Sequence, residues 1–420
     1  MAPALPSPVR DPSTIPGFEL TTHILPAAYP RCSPDTPLPW ASPPPNESRE
    51  ARKLRVTRMT KEVMDAKEMY ERGCSEKANV GSEDVHWTVV NRYARRTTGG
   101  EKWTGRRGGV TLFCVHPLGQ HKETYEPMLR HLLERAKYSL YHVEEIWSID
   151  FAQHGDSGLL NASKMGVIYD HMDSVRDLAN FFLHYLPEGG TETGSLPTHL
   201  ARVTPNVTRR REEGGLRRRV VAVAHSQGAA YIPLVAYHYP GLISGMFMVD
   251  PVLYAPDADK TARRSAFTKN LISQRDRWPS REAAYDALKK SAWGAWDDEV
   301  LRVYVEHALT ENHLGGVTLK CPAFLGAALH ENLISREAWM AIPALEPSLP
   351  MHWVLPTPEE SFIPESLVEG PWRRPRGAAS SCSIVAGGGH LIVQTKPQEV
   401  ARELHGFLNA LYPSKHRARL

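Results

Sequence analysis

The chain reads as an α/β protein: a mostly parallel central sheet flanked by helices, with a helical cap inserted into it. Three observations predict this. Short continuous apolar runs alternate with segments of helical period, as strands buried on both faces and joined by crossover helices require. One such run ends in a tight serine turn that opens a helix. The rhythm breaks over residues 254–345, where helical pieces follow directly on a core strand, and then resumes.

Composition sets the outer bounds. With 420 residues, 41% hydrophobic and 23% charged, the chain can build one large domain or two small ones. It is not a disulfide-stapled miniprotein, a collagen-like chain or a wholly disordered one. Fifty Lys plus Arg against 47 Asp plus Glu leave a charge of +3, too balanced to indicate nucleic acid as a partner. The cysteines (Cys32, Cys74, Cys114, Cys321, Cys382) lack CxxC spacing, which suits a reducing compartment and offers no zinc site. The start carries no evident secretory signal, and no stretch approaches the ~18 apolar residues of a membrane span.

Taken in order, residues 1–50 are Pro-rich, with one alternating strand over 17–25. Residues 51–84 carry a charged helical pattern (Val63, Ala66, Met69) and read as an exposed insertion. The first part of the core, 85–253, opens with a strand over 85–93 and a turn at Thr97–Gly100. Strands follow over 109–115, 143–151, 219–224 and 243–249, with helices over 125–136, 171–186 and 228–238. The stretch 187–219, with Arg209–Arg211 and Arg217–Arg219, reads as a surface loop. The cap, 254–345, contains a capped start at Pro279-Ser-Arg-Glu and a helix over 297–309. The core resumes over 346–413, with strands at 351–355 and 383–386 and a closing helix from Pro397 to Tyr412. A basic tail, 414–420, ends in Ala418-Arg419-Leu420, a variant of the Ser-Lys-Leu peroxisomal address.

The sharpest motif is Val220-Val-Ala-Val-Ala224-His225-Ser226-Gln227-Gly228, a buried strand, a tight turn and a helix. It is the nucleophile elbow G-x-S-x-G with Ala224 in the first glycine position. Small residues two before and two after the serine are needed because larger ones would clash in so sharp a turn. A serine hydroxyl needs a base, and the base an acid, both downstream in this chain order. For the base, Gly387-Gly-Gly389-His390 lies on a glycine-rich loop between the last strand and the last helix. His390 is preferred over His225, which points away on the elbow, and His330, which lies in the cap. The acid is either Asp250, at the end of the strand after the nucleophile helix, or Glu359 or Glu360, one strand later. For the oxyanion hole, His116-Pro117-Leu118-Gly119 takes the place of a His-Gly-x-Gly loop. The N–H groups of Leu118 and Gln227 are the expected donors. The loop Asp150-Phe-Ala-Gln-His154-Gly155-Asp156-Ser157 is expected to stiffen the rim of the site.

These motifs in this order resemble the α/β-hydrolase superfamily. Within it the chain is most similar to fungal peroxisomal hydrolases of toxin and secondary-metabolite pathways, including the acyl-CoA hydrolase of mycophenolic acid biosynthesis. The residues that carry this are His116-x-x-Gly119 with Lys122-Glu-x-Tyr125-Glu-Pro127, Ile146-Trp147 with Asp150, and His225-Ser226-x-Gly228. Asp250-Pro251, Trp278-Pro-Ser-Arg-Glu282 and Gly389-His390-Leu391 extend the match. Pro117, the helical insertion and the Arg-rich stretch depart from the group.

The resemblance implies an α/β-hydrolase fold and a Ser226–Asp250–His390 triad, because in this group the acid follows the strand after the nucleophile. It also implies a peroxisomal matrix location, with the import receptor as partner of the tail. The expected activity is hydrolysis of a small-molecule ester or acyl-CoA thioester, with no metal or cofactor. A lactone or C–C hydrolase would use the same parts, and a noncatalytic ligand-binding protein could share the scaffold. The cap aromatics Trp278, Trp293, Trp296 and Tyr304 are expected either to enclose an acyl group or to pack the cap itself. The Arg triplets would meet CoA phosphates or form a solvated loop. The residues leave the oligomeric state, including a homodimer, open.

Overall fold

The computed structural model describes residues 3–6, 10, 14–34, 36, 47–72, 84–96, 109–188, 196–255, 261–329, 334–361 and 379–412. The Thr97–Gly100 turn, His330 and the Ala418–Leu420 tail lie outside these residues.

The strands are β1 (Phe18–Pro26), β2 (Trp87–Arg95), β3 (Gly109–Val115), β4 (His142–Ile149), β5 (Val220–His225) and β6 (Gly245–Val249), then β7 (Arg277–Trp278), β8 (Leu309–Glu311) and β9 (Val317–Leu319) in the cap, and finally β10 (Met351–Leu355) and β11 (Ser380–Ile384). Eight of them form one sheet in the order β1-β2-β4-β3-β5-β6-β10-β11. β2 runs antiparallel to both its neighbours, and every other pairing from β4 to β11 is parallel.

The alternation within β5 explains why its residues are all apolar before His225. Val220, Ala222 and Ala224 face a core completed by the helices 172–180, Gln227–His238 and Ile334–Ala341. Val221 and Val223 face a second core beneath the helices Glu126–Ala136 and Pro397–Leu411. A strand covered on both faces has no solvent side to make polar.

Several elements differ from the sequence expectation. Residues 187–219 are not simply a loop: Thr204-Pro205 starts a helix, Pro205–Gly214, whose polar surface hides its period. Arg211 is buried there, and its guanidinium donates to the carbonyls of Phe182 (2.8 Å) and Leu186 (2.7 Å). Arg219 stacks on Tyr412 at 5.0 Å. The last residues of this stretch run into the start of β5, the end opposite Ser226. The charged helix Arg49–Glu71 is not fully exposed. Val56, Met59 and Val63 pack against Ile272 and Ala327 of the cap. The cap also contains a small antiparallel sheet, β7-β9-β8, beside its helices, built from strands too short to leave a period. Finally, β11 begins earlier than expected because a Ser-rich edge strand pairs with β10 without needing apolar residues.

Candidate active site

β5 delivers Ser226 to the carboxyl end of the sheet. Its backbone sits at φ 56°, ψ −120°, a conformation that side-chain-bearing residues rarely adopt. The surroundings hold it there: its N–H donates to the Val249 carbonyl (2.9 Å), and its own carbonyl accepts from Val252 (3.2 Å). Gly228 shows why the elbow needs glycine. A Cβ there would stand 2.6 Å from the Val115 carbonyl oxygen and 2.7 Å from that of His116. The helix after Ser226 thus starts directly against the beginning of the 116–119 loop.

Asp250 follows β6 and also has a positive φ, 34°, with its N–H bound to the Val354 carbonyl at 2.8 Å. His390 arrives on a loop in which Gly387 and Gly389 take φ values of 74° and 57°. That loop is anchored from several sides. Glu360 accepts the Gly387 N–H on both carboxylate oxygens (2.8 and 3.0 Å), and the Thr395 hydroxyl donates to the Gly388 carbonyl (2.8 Å). The result is a continuous chain. Ser226 Oγ lies 2.8 Å from His390 Nε2, and His390 Nδ1 lies 2.6 Å from Asp250 Oδ2. Of the acid candidates, Asp250 is therefore the one beside the imidazole, while Glu360 braces its loop and Glu359 is exposed. Such a chain can draw a proton from the serine hydroxyl and hold the imidazolium that forms.

Leu118 and Gln227 lie where the elbow meets the 116–119 loop. The loop turns tightly, with Gln120 N–H donating to the Pro117 carbonyl (3.2 Å) and Gly119 at φ 75°. That is the geometry of a type II turn, whose third position favours glycine. Gly119 N–H is taken by His154 Nε2 at 3.0 Å, whereas the amides of Leu118 and Gln227 meet no acceptor among the described residues. Gln227 is the first residue of its helix, where an N–H has no intrahelical partner.

The rim is stiffened by a buried charge network. Lys122 Nζ contacts Asp150 (2.9 Å), Asp156 (2.7 Å) and Glu123 (3.0 Å), and Lys320 of the cap reaches Asp156 at 2.6 Å. Burial opposes the Lys122 charge, but the three carboxylates outweigh it and raise its pKa well above the ordinary value. Gly155 is required beside them, since a Cβ there would meet the Asp150 carboxylate at 2.4 Å.

The cap aromatics pack the cap itself. Trp278, Trp296 and Tyr304 form its core with Trp293 against them, and Leu391, next to His390, leans on the same cluster. The Asp297 N–H also donates to the Gln394 carbonyl (2.9 Å), so the cap helps hold the loop that carries the imidazole. Among the described residues, no group of three or more His, Cys, Asp or Glu side chains could hold a metal ion, and no helix is long and apolar enough to cross a membrane.

Histidines dominate the acid stability expected of this region. Burial pushes His116, His171, His225 and His307 down to about 3, so the native state keeps them neutral. In the unfolded chain they titrate near 6.5, so between about pH 6.5 and 3 unfolding takes up protons and stability falls as pH falls. Each site contributes about 1.4 kcal/mol per pH unit across that window, which predicts cooperative acid unfolding near about pH 5. Tryptophan fluorescence against pH measures this; a native signal persisting at about pH 3.5 contradicts it.

The sequence profile of the alpha/beta hydrolase family matches residues 112–403. A type I acyl-CoA thioesterase, mpaH of Penicillium roqueforti, is 28% identical over 222 residues, which cover 52% of this chain and 43% of that protein. The mpaH' thioesterase of Penicillium brevicompactum is 26% identical over 212 residues, covering 50% of this chain and 41% of that protein. The matches thus span less than half the length of these relatives. Among solved structures, Lpx1, a peroxisomal alpha-beta-hydrolase of Saccharomyces cerevisiae, superposes with a TM-score of 0.66. It has 14% identity and covers 95% of this chain and 92% of its own, which is a likeness of fold. From its sheet order, its elbow and a family match that spans most of its length, the chain belongs to the alpha/beta hydrolase family.

Proposed function

We propose that this protein is a serine hydrolase that cleaves a carboxylic ester or acyl-CoA thioester through an acyl-enzyme. Ser226 attacks the carbonyl carbon while His390 Nε2 takes the hydroxyl proton. Asp250 holds the proton on Nδ1 and offsets the imidazolium charge. The N–H groups of Leu118 and Gln227 receive the oxyanion, and His390 returns its proton to the departing alcohol or thiol. Water then repeats the sequence on the acyl-serine. No cofactor enters these steps.

The observation that carries this reading is the continuous Ser226–His390–Asp250 chain at 2.8 and 2.6 Å. The thioesterase relatives support the thioester branch. The Ala418-Arg419-Leu420 terminus supports delivery to the peroxisomal matrix by its import receptor, and with the fungal relatives it favours a role in secondary-metabolite (toxin) biosynthesis.

A fluorophosphonate probe is expected to label the folded protein, with the adduct mapped to Ser226 by mass spectrometry. Absence of labelling favours a ligand-binding scaffold instead. Turnover of an acyl-CoA panel against p-nitrophenyl esters then assigns the leaving group. For the address, a fluorescent fusion lacking Leu420 is expected to stay in the cytosol while the intact tail enters peroxisomes; identical distributions refute it.

A further inference from the structure

We propose that His225, the residue before the nucleophile, is a positioning residue that registers the His390 loop against Ser226 by donating its Nε2–H to the His390 backbone carbonyl. The inference rests on the nucleophilic role proposed for Ser226. The bond is 2.8 Å long, and the two rings stand 5.5 Å apart between centroids.

This one residue adjoins all three members of the chain. It is peptide-bonded to Ser226. It is the register partner of Val249 across β5 and β6, and Val249 precedes Asp250. It grips His390 by the main chain. A shift of the imidazole loop along the sheet edge therefore has to break this bond. A grip on the carbonyl rather than the ring leaves the His390 imidazole free to turn between the serine oxygen and a leaving group.

The chemistry of the bond assigns the tautomer. A carbonyl oxygen only accepts, so the hydrogen sits on Nε2 of His225, and its buried Nδ1 has no partner among the described residues. The ring is fully buried, and burial together with His390 pushes its pKa to about 3. His225 therefore stays a neutral donor while His390 gains and loses its proton, and adds no charge beside the imidazolium. Glu360 and Thr395 hold the same loop at Gly387 and Gly388, so loss of His225 loosens the register without releasing the loop.

The test compares His225→Phe, which keeps a ring but no donor, with His225→Gln, whose amide can still donate. Both are followed by circular dichroism, fluorophosphonate inactivation rate and steady-state turnover of a p-nitrophenyl ester. His225→Phe is expected to lower kcat and the inactivation rate about 10- to 100-fold, the usual cost of a small misplacement, with KM changed by less than about twofold. His225→Gln is expected to recover most of that loss.

A wild-type protein that never reacts with the probe overturns the proposed function and this inference with it. A reactive wild type with His225→Phe equally fast overturns the inference alone. Equal losses in two folded variants also overturn it, because they reflect packing. If His225→Phe does not fold, nitrogen-15 histidine spectra of the wild type decide. A constant Nε2–H tautomer for His225 between about pH 6 and 8 supports the proposal, and an Nδ1–H tautomer or a titration in that range overturns it.

Discussion

Changing Ser226 to Ala is expected to lower kcat by about 10⁶-fold, and changing Asp250 to Asn by about 10⁴-fold, with the protein still folded. The two losses differ because the residues act at different points. In the proposed mechanism no acyl-enzyme forms without the serine oxygen, and only the proposed oxyanion donors and substrate binding remain. With Asn at 250 the hydroxyl and imidazole persist, but the amide can donate to His390 Nδ1 and favour the tautomer with its hydrogen on Nε2. That hydrogen then points at Ser226 Oγ, where the base needs a lone pair. The Ser226→Ala/Asp250→Asn double variant is expected to be no worse than Ser226→Ala alone, because the groups work as one unit. Glu360→Gln serves as the contrast. An amide oxygen still accepts the Gly387 N–H, so turnover should stay within about threefold of the parent. Full activity in Asp250→Asn with loss in Glu360→Gln would reverse the assignment of the acid.

Lys122→Met is expected to destabilise the fold by about 3–5 kcal/mol, seen as a lower urea midpoint at unchanged slope. The physical reason lies in what the ammonium leaves behind. Asp150, Glu123 and Asp156 are all buried; Lys320 still reaches Asp156 at 2.6 Å and Arg10 stands 3.8 Å from Glu123, so Asp150 loses the most when the ammonium goes. Taking one partner from a buried ion group strands the others in low dielectric, which costs far more than the intact group contributes. The exposed Lys61–Asp65 pair on the first helix provides the control, since Lys61→Met should leave the midpoint in place. A Lys122→Met protein as stable as its parent would mean that water reaches these carboxylates. The same variant should also slow turnover, because an Asp150 carboxylate that has lost its ammonium partner (2.9 Å) holds less firmly the backbone N–H of residue 122 (2.8 Å), just beyond the 116–119 loop.

The readability of the site from residues alone followed local chemistry. The elbow at Ser226 is visible because a strained turn between strand and helix admits only small neighbours, and Gly228 bears this out at the Val115 and His116 carbonyls. His390 stands out because glycines are needed to fold a loop back over a sheet edge. Features held by distant partners left no comparable trace. The helix Pro205–Gly214 has a polar surface, and its buried anchor, Arg211, looks like any other member of an Arg triplet. The first helix looks fully solvated until the cap meets its narrow apolar stripe. His225 seems idle beside the serine, since the carbonyl it grips belongs to a residue 165 positions away.

Sequence alone thus determined the alternation of strands and helices, the elbow, the glycine loop and the inserted cap, because each is specified by residues close together in the chain. Tertiary structure alone decided which acid faces the imidazole, what the cap aromatics pack against, and where the buried lysine finds its counter-charges. Those outcomes depend on contacts between elements brought together only when the sheet assembles, and no short stretch of chain encodes them.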